Sequence, residues 1–455
     1  MPRILVVSPH FPPVNAPDMQ RIRMSLPHFV DAGWEVVVLA ANDREPLAPL
    51  EPDLLQTVPA AVRVVRTHVW SRRWTHWFGL NNLGLRTLLS TYWAGRKVLR
   101  ESSFDLVYFS STQAVLFPLG RLWRSEFQVP YVIDLQDPWL SDYYHRPGAP
   151  RPPGGWKYAF AHGTARMFEG WTLARAAHVI SVSQPYLDAL EHRYPWFRRD
   201  SGSVLTFGSP DADFAVARER YLREPPITPA TRGIKIAYAG RLGPDMLPAL
   251  DHLFHGIALV LREGIAIEVY FYGTSYAPAG QAEATTTSLA ASHGIAAHVH
   301  EFPARITYLN SLRLLLETDV ALVLGSNDPS YSPSKLYPTL LAGKPTLAVA
   351  PERTVLAERI AELGGAVLAA YAPGSGTDPL CGEKIAGLLR TLVRDRASFP
   401  APPANLERIR EHYSAAAVAV RQLEVFLAVI ARHRHPPATL PEADQQAATN
   451  APLPP

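Results

Sequence analysis

Cysteine is almost missing from this chain: Cys381 is the single one in 455 residues. That excludes an intrachain disulfide framework and favours a reducing compartment. Long apolar runs are missing too. No stretch approaches the ~20 apolar residues that a membrane-crossing helix needs. The first run, in MPRILVVSPHFPP, stops at Pro9 after about five residues, too short for the core of a signal peptide and better read as a β-strand. The expectation is a cytoplasmic protein, with peripheral attachment at the inner face of the membrane left open. Strong charge of one sign is also lacking: a formal net charge of +3 gives no ground by itself for nucleic acid as a partner. Lysine is scarce beside arginine.

What remains is ordinary globular material, 47% hydrophobic and 19% charged. The length exceeds what one compact core serves, so two domains are expected. Short β-branched runs recur along the chain with helical patterns between them. In the first half they are Ile4–Val7, Val36–Leu39, Val62–Val65, Leu106–Phe109, Tyr131–Leu135, Val179–Val182 and Val204–Phe207. In the second they are Ile234–Tyr238, Ile267–Tyr272, His298–Phe302, Val320–Leu324, Thr346–Val349 and Ala366–Ala369. Runs apolar at consecutive positions imply strands buried on both faces, as in parallel sheets covered by helices. Strand alternating with helix over this length predicts doubly wound α/β domains. The expected organisation is a first Rossmann-like domain over 1–217 and a charged, then Pro- and Thr-rich linker over 218–233. A second Rossmann-like domain follows over 234–402. Leu406, Ile409, Tyr413, Val420, Leu423, Leu427 and Ile430 mark one long amphipathic helix within 403–434, and 435–455 reads as a disordered tail.

Ligands of open parallel sheets sit beyond the carboxyl ends of the strands, so the loops there carry the candidate residues. The first holds His10, Asn15, Asp18 and Arg21, where Asn15 or Asp18 is placed to cap the following helix and Arg21 suits an anion or hydroxyl. A surface turn with Arg21 in a structural ion pair is the alternative. The second, DLQDPW, offers Asp134, Asp137 and Trp139 for acid/base work or substrate-hydroxyl contact, unless the two carboxylates cap turns. The third is Ala239-Gly240-Arg241-Leu242-Gly243, with Arg241 able to neutralise a diphosphate. In the fourth, Ser332 and Pro333 are placed to start a helix that Gly343 ends. Its N–H groups and Lys335 would hold a phosphate, unless Lys335 is a plain solvated lysine.

The ordered series HFPP, QRIRMSLPHFVDAGWEVVVL, VIDLQDPW, RMFEGWTLARAAHVISVS, AYAGRLG and SPSKLYPTLLAGKPTLAV resembles glycosyltransferase family 4, over roughly Pro2 to Arg434. The resemblance implies a GT-B fold: two Rossmann-like domains facing a central cleft, with a crossing C-terminal helix. It implies a retaining, metal-independent enzyme without cofactor that moves a sugar from a nucleotide-diphosphate donor to a glycan or lipid-linked acceptor, in cell-surface polysaccharide or glycolipid synthesis. Gly240, Arg241, Gly273, Ser334, Lys335 and Leu336 would hold the donor. His10, Asn15, Asp18, Arg21, Gln136 and Trp139 would face the acceptor, and Asp137, Arg241 and Lys335 would be catalytic. The sequence departs from the family pattern at Ser330 and Pro338, where paired glutamates are usual. It also departs at Met246, where a lysine is usual, and at Asn15-Ala16-Pro17, where paired glycines are. These departures keep two further readings open: a catalytically weak GT-B-like binding or scaffold protein, and a nucleotide-sugar epimerase.

One stretch stands apart. Between Asp53 and Glu101 no acidic residue occurs, while Arg63, Arg66, Arg72, Arg73, Arg86, Arg96, Lys97 and Arg100 alternate with Trp70, Trp74, Trp77, Phe78, Tyr92 and Trp93. Cations beside tryptophans suit an anionic membrane surface, and 63–100 is the expected contact. The alternative is aromatics packed inward with solvated arginines.

Overall fold

The computed structural model describes residues 1–46, 48–75, 77, 82–140, 155–275, 283–328, 331, 334–374, 376–394 and 406–435. It divides into two compact units, Met1–Phe207 with the chain from Ala415 onward, and Gly208–Ser414.

The first unit is built on seven strands: β1 Arg3–Val7, β2 Glu35–Ala41, β3 Arg63–Thr67, β4 Leu106–Ser110, β5 Tyr131–Leu135, β6 His178–Ser181 and β7 Gly202–Val204. Their order is β3-β2-β1-β4-β5-β6-β7, and every neighbouring pair is parallel. Every residue of β4 and β5 is buried, as consecutive apolar positions require when helices cover both faces. Leu5, Val7, Phe109 and Tyr131 pack on one face against Trp123; Ile4, Val6, Ile22 and Phe29 pack on the other. Helix Ala415–Arg434 lies on that second face beside helix Gln20–Asp31, with Phe426 edge-on to Phe29 at 5.8 Å. Its buried Gln422 accepts from Ser25 Oγ at 2.7 Å and donates to Tyr108 Oη at 2.8 Å, so a polar side chain in the core has its partners.

The second unit has six parallel strands: β8 Ile234–Ala239, β9 Ile267–Tyr272, β10 Val299–Phe302, β11 Val320–Leu324, β12 Thr346–Pro351 and β13 Val367–Tyr371, in the order β10-β9-β8-β11-β12-β13. Helix Leu247–Arg262 packs against helix Pro379–Arg394 so closely that a Cβ on Gly256 would lie 2.7 Å from Ile385 Cβ. All thirteen expected strands are found, most within one or two residues of the expected bounds.

Two boundaries differ from expectation. The stretch 218–233 lies inside the second unit: its first residues complete helix Asp211–Arg223, which packs on helix Tyr308–Glu317. Beyond that helix, the Ile227 and Thr228 amides donate to the Glu317 carboxylate, so the segment is anchored and is not a free linker. The expected single helix of 403–434 is two, Leu406–Tyr413 in the second unit and Ala415–Arg434 in the first, broken at Ser414, which bridges to Ser209. The rest of the expected tail, 436–455, lies outside the described residues.

Both sheets reverse their winding once, between β1 and β4 in the first unit and between β8 and β11 in the second. At such a switch point the loops leaving two neighbouring strands run to opposite sides and leave a crevice.

Candidate functional site

The second unit's switch point is the more chemically pointed. β8 ends at Ala239 and is followed by Gly240 at φ +147°, where an added Cβ would sit 1.3 Å from Lys335 Nζ. Glycine is needed there for space as well as for conformation. Lys335 donates to Tyr238 Oη at 3.1 Å and lies 4.6 Å from the centre of that ring. Tyr238 in turn donates to the Arg241 carbonyl at 2.7 Å, closing a tight turn around Gly240. Arg241 makes a two-pronged contact with Asp245, at 2.9 Å on each prong, and Asp245 also accepts from Ser326 Oγ at 2.7 Å. Burial pushes the Asp245 carboxyl up, but Arg241 and Ser326 more than offset this and hold it below the usual range. Burial, with Arg241 and Arg305 nearby, pushes the Lys335 ammonium down to about 7. Gly273 follows β9 at φ +68°, its Cβ position 3.6 Å from Arg305 Cα. Three cations thus gather at the ends of β8, β10 and β11, and a concentration of like charge that depresses a lysine is what an anion would relieve.

Of the expected donor residues, Gly240, Arg241 and Lys335 come together here, and Gly273 stands beside Arg305. Ser334 is half-buried next to Lys335. Leu336 is fully buried in the core, so its side chain cannot line a ligand. The helix begins at Leu336 and runs only to Leu341, and six residues supply too little dipole for a phosphate site at its N-terminus. Ser330, Ser332 and Pro333 lie outside the described residues. Met246, where the family resemblance implies a lysine, is buried in the core. Arg305, Asp245 and Ser326 were not singled out from the sequence. Arg305 could have been, because it follows β10 as Arg241 follows β8.

The first unit's switch point is wired differently. Arg21 is fully buried, its Nε 3.0 Å from the Asp134 carboxylate, and it donates to the Leu205 and Thr206 carbonyls at 2.8 and 3.2 Å. It is a structural ion pair and does not face an acceptor. Burial pushes the Asp134 carboxyl up despite Arg21. Gln136 is buried, donating to Ser110 Oγ and Asp134 Oδ2, both at 3.2 Å. Asn15 donates to Glu51 at 3.0 Å from a buried position and caps nothing; no side chain caps helix Gln20–Asp31. These three expected acceptor residues are occupied in holding the unit together. Trp139 is half-buried, edge-on to Phe117 at 5.4 Å. Asp137 alone of the DLQDPW polar residues is exposed. His10 and Asp18 remain, joined at 2.8 Å, with Asp18 also accepting from Ser111 Oγ at 2.9 Å and from Thr112. Among the described residues no group of three His, Cys, Asp or Glu is placed to hold a metal ion.

The expected basic face is largely neutralised. Arg86 is buried on Glu45 at 2.6 Å, Arg66 donates to the Ala41 and Pro12 carbonyls, Arg63 meets Glu101, and Arg96 and Arg100 both meet Glu126. The aromatic half of the expectation fares differently: Trp70, Trp74, Trp77 and Trp93 are all more than half exposed. Phe78 lies outside the described residues. No helix among the described residues is long and apolar enough to cross a membrane.

Two doubly wound parallel units, each with one reversal of strand order, are the building plan of the GT-B fold. Residues 20–201, within the first unit, match the family model of the glycosyl transferase 4-like domain. The resemblance drawn from the ordered motifs agrees with this. Solved structures of the same fold include sucrose-phosphate synthase from Thermosynechococcus elongatus, 16% identical with a TM-score of 0.64 over 95% of this chain and 100% of that one. A UDP-forming trehalose-phosphate synthase from Burkholderia xenovorans is 14% identical, TM-score 0.60, over 94% and 99%. Phytolacca americana UGT2, solved with UDP-2-fluoro-glucose and pterostilbene, is 12% identical, TM-score 0.50, over 95% and 100%. At these identities the likeness establishes the fold. A search of curated proteins returns no match.

Proposed function

We propose that the protein is a retaining, metal-independent glycosyltransferase that moves a hexose-type sugar from a nucleoside-diphosphate donor to a glycan or lipid-linked acceptor. The observation that carries the reading is the gathering of Arg241 and Arg305 near Lys335, which itself lies against Gly240, at one switch point. As the sugar–phosphate bond breaks, negative charge grows on the leaving diphosphate while the sugar gains oxocarbenium character. Fixed cations aimed at that charge lower the barrier without needing a metal. Arg241 and Lys335 serve the leaving group, and the backbone at Gly240 and Gly273 lets the ligand approach closely. Exposed Asp137 takes sugar or acceptor hydroxyls. The names of the UDP-forming synthase and of the UDP-2-fluoro-glucose complex fit this reading.

The exposed tryptophans between Trp70 and Trp93, with Arg72 and Arg73 exposed among them, suit peripheral attachment at the cytoplasmic face of a membrane, where a lipid-linked acceptor for cell-surface polysaccharide or glycolipid would reside. A second reading, a GT-B-like binding or scaffold protein of little catalytic power, is favoured by Arg241's two-pronged grip on Asp245, which commits much of its guanidinium.

A thermal-shift screen with UDP, GDP and ADP, followed by hydrolysis profiling against a panel of nucleotide sugars, separates the two. A nucleotide at 100 times its Kd adds about 2.7 kcal/mol of stability. Transferase function predicts a shift with one base together with slow sugar release. A shift without turnover on any donor supports the binding protein, and no shift with any nucleotide overturns the donor site.

A further inference from the structure

More of the second unit is arranged around the contact between Arg241 and Asp245 than its stability explains. Both side chains are partly exposed, 32% and 17%, and an ion pair in that setting adds little to a fold. Yet groups from three strand ends hold the carboxylate still. It is kept below its usual range, so it is ionised and only accepts. Ser326, two residues past β11, takes the Asp328 amide on Oγ at 3.0 Å and gives its own hydrogen to Asp245 Oδ2 at 2.7 Å. The Asn327 amide donates to the Asp245 carbonyl at 2.9 Å, and Asn327 Oδ1 accepts from Tyr371 Oη, at the end of β13, at 3.1 Å. Asp245 itself follows β8 on the turn that carries Arg241.

Gly243 supplies the room for the pair. Its φ of −98° is open to any residue, so conformation does not call for glycine. Space does: an added Cβ would overlap both Arg241 Nη1 and Asp245 Oδ1. Arg241 also stands near enough to Lys335 to help push that ammonium down. A guanidinium on a long stem loses rotamer freedom when it grips an anion, and a partner that fixes it beforehand removes that cost. A carboxylate beside an anion site repels the ligand, so its presence there needs a return of this kind.

We propose that Asp245 is the positioning residue for Arg241, fixing its guanidinium beside Lys335 before a nucleoside diphosphate arrives, with Gly243 and Ser326 keeping the pair closed. The inference rests on the donor site of the transferase reading and deepens it. The pair stays closed with ligand bound; it is a mount for Arg241 and not a lock that the ligand must open.

Calorimetry of UDP, GDP and ADP on the full chain tests this. For any nucleotide that the wild type binds, Asp245→Asn, which keeps the shape and removes the charge and one prong, weakens binding roughly tenfold. Gly243→Ala weakens it by a similar factor. Both variants melt within about 4 °C of wild type, as a partly exposed pair implies. A double-mutant cycle with Arg241→Ala gives the readout that a merely structural carboxylate would not move: with Arg241 gone, Asp245→Asn no longer weakens binding. Equal weakening with and without Arg241 overturns the proposal. Tighter binding by Asp245→Asn also overturns it, because the pair would then be a lock on the empty site. Should Asp245→Asn fail to fold, Gly243→Ala taken through the same cycle decides the matter, since its nearest new contacts are those two side chains. Wild type and Asp245→Asn binding a nucleotide equally well defeats this proposal alone. Wild type that binds none of the three defeats the donor site, and this proposal with it.

Discussion

The two switch points share a strand order and differ in how they spend charge. In the first unit each buried acid faces a basic partner: Asp134 faces Arg21, and Asp18 faces His10. In the second, Lys335 has a phenol for its hydrogen bond and two arginines for neighbours. The first arrangement stabilises a fold, since a buried charge is tolerable only when paired. The second raises the energy of the empty site, and an anion brings it down. The same sheet architecture therefore provides a framework at one switch point and, on the proposed function, an anion site at the other.

The comparison breaks most readily through stability. Arg21→Ala leaves Asp134 buried without its cation, and urea denaturation should show a loss of about 3–5 kcal/mol. A loss below about 1 kcal/mol would mean that the pair is not structural. In the second unit the large effect should fall on binding. Lys335→Ala removes a charge-assisted contact and should weaken the nucleoside diphosphate about 10- to 100-fold by calorimetry, while stability holds or rises because a strained cation has gone. Gly240→Ala should mimic that loss of affinity, because the new Cβ takes the space of Lys335 Nζ, with an added stability cost of about 1 kcal/mol from the positive φ. Equal effects of Arg21→Ala and Lys335→Ala on stability would erase the distinction.

How far the sequence alone leads is clear from these residues. The thirteen strands were legible because each is a short, consecutively apolar run, and the loops at their ends located Gly240, Arg241 and Lys335. Pairing between distant segments was not legible. Nothing near Arg21 marks Asp134 as its partner, because that match is made by two helix–strand connections folding onto one sheet. The acid-free window between Asp53 and Glu101 misled for the same reason: Glu45 and Glu126, which take up Arg86, Arg96 and Arg100, lie just outside it. The supposed linker began in mid-helix because Phe214 and Ala217, the buried positions that fix helix Asp211–Arg223, precede the stretch that looked irregular.

The smallest effects lie in pH; they carry the same sign in the two units and differ in range. Lys335 titrates near 7 in the fold against an ordinary lysine value near 10.4 when unfolded. Between those values the unfolded chain binds more protons, so this group makes stability of the empty protein rise with pH from about 7 to 10. His178 in the first unit is pushed by burial down to about 4, with its Nε2 on Ser203 at 2.9 Å. Its contribution is whole above about 6.5 and is lost as pH falls toward 4. Melting temperatures across pH 4–10 should therefore fall at the acid end in wild type and in Lys335→Ala alike. Only the alkaline rise should vanish in Lys335→Ala.

The central claim is that a diphosphate belongs beside Lys335, and calorimetry of UDP, GDP and ADP binding tests it most directly when run at pH 6.5 and 8.5 in buffers of different ionisation enthalpy. At least one nucleotide should bind; at pH 8.5 it should take up close to one proton and bind roughly 10- to 30-fold more weakly than at pH 6.5, and Lys335→Ala should abolish both features. Binding with no proton uptake, unchanged by Lys335→Ala, would place the phosphate elsewhere and contradict the account.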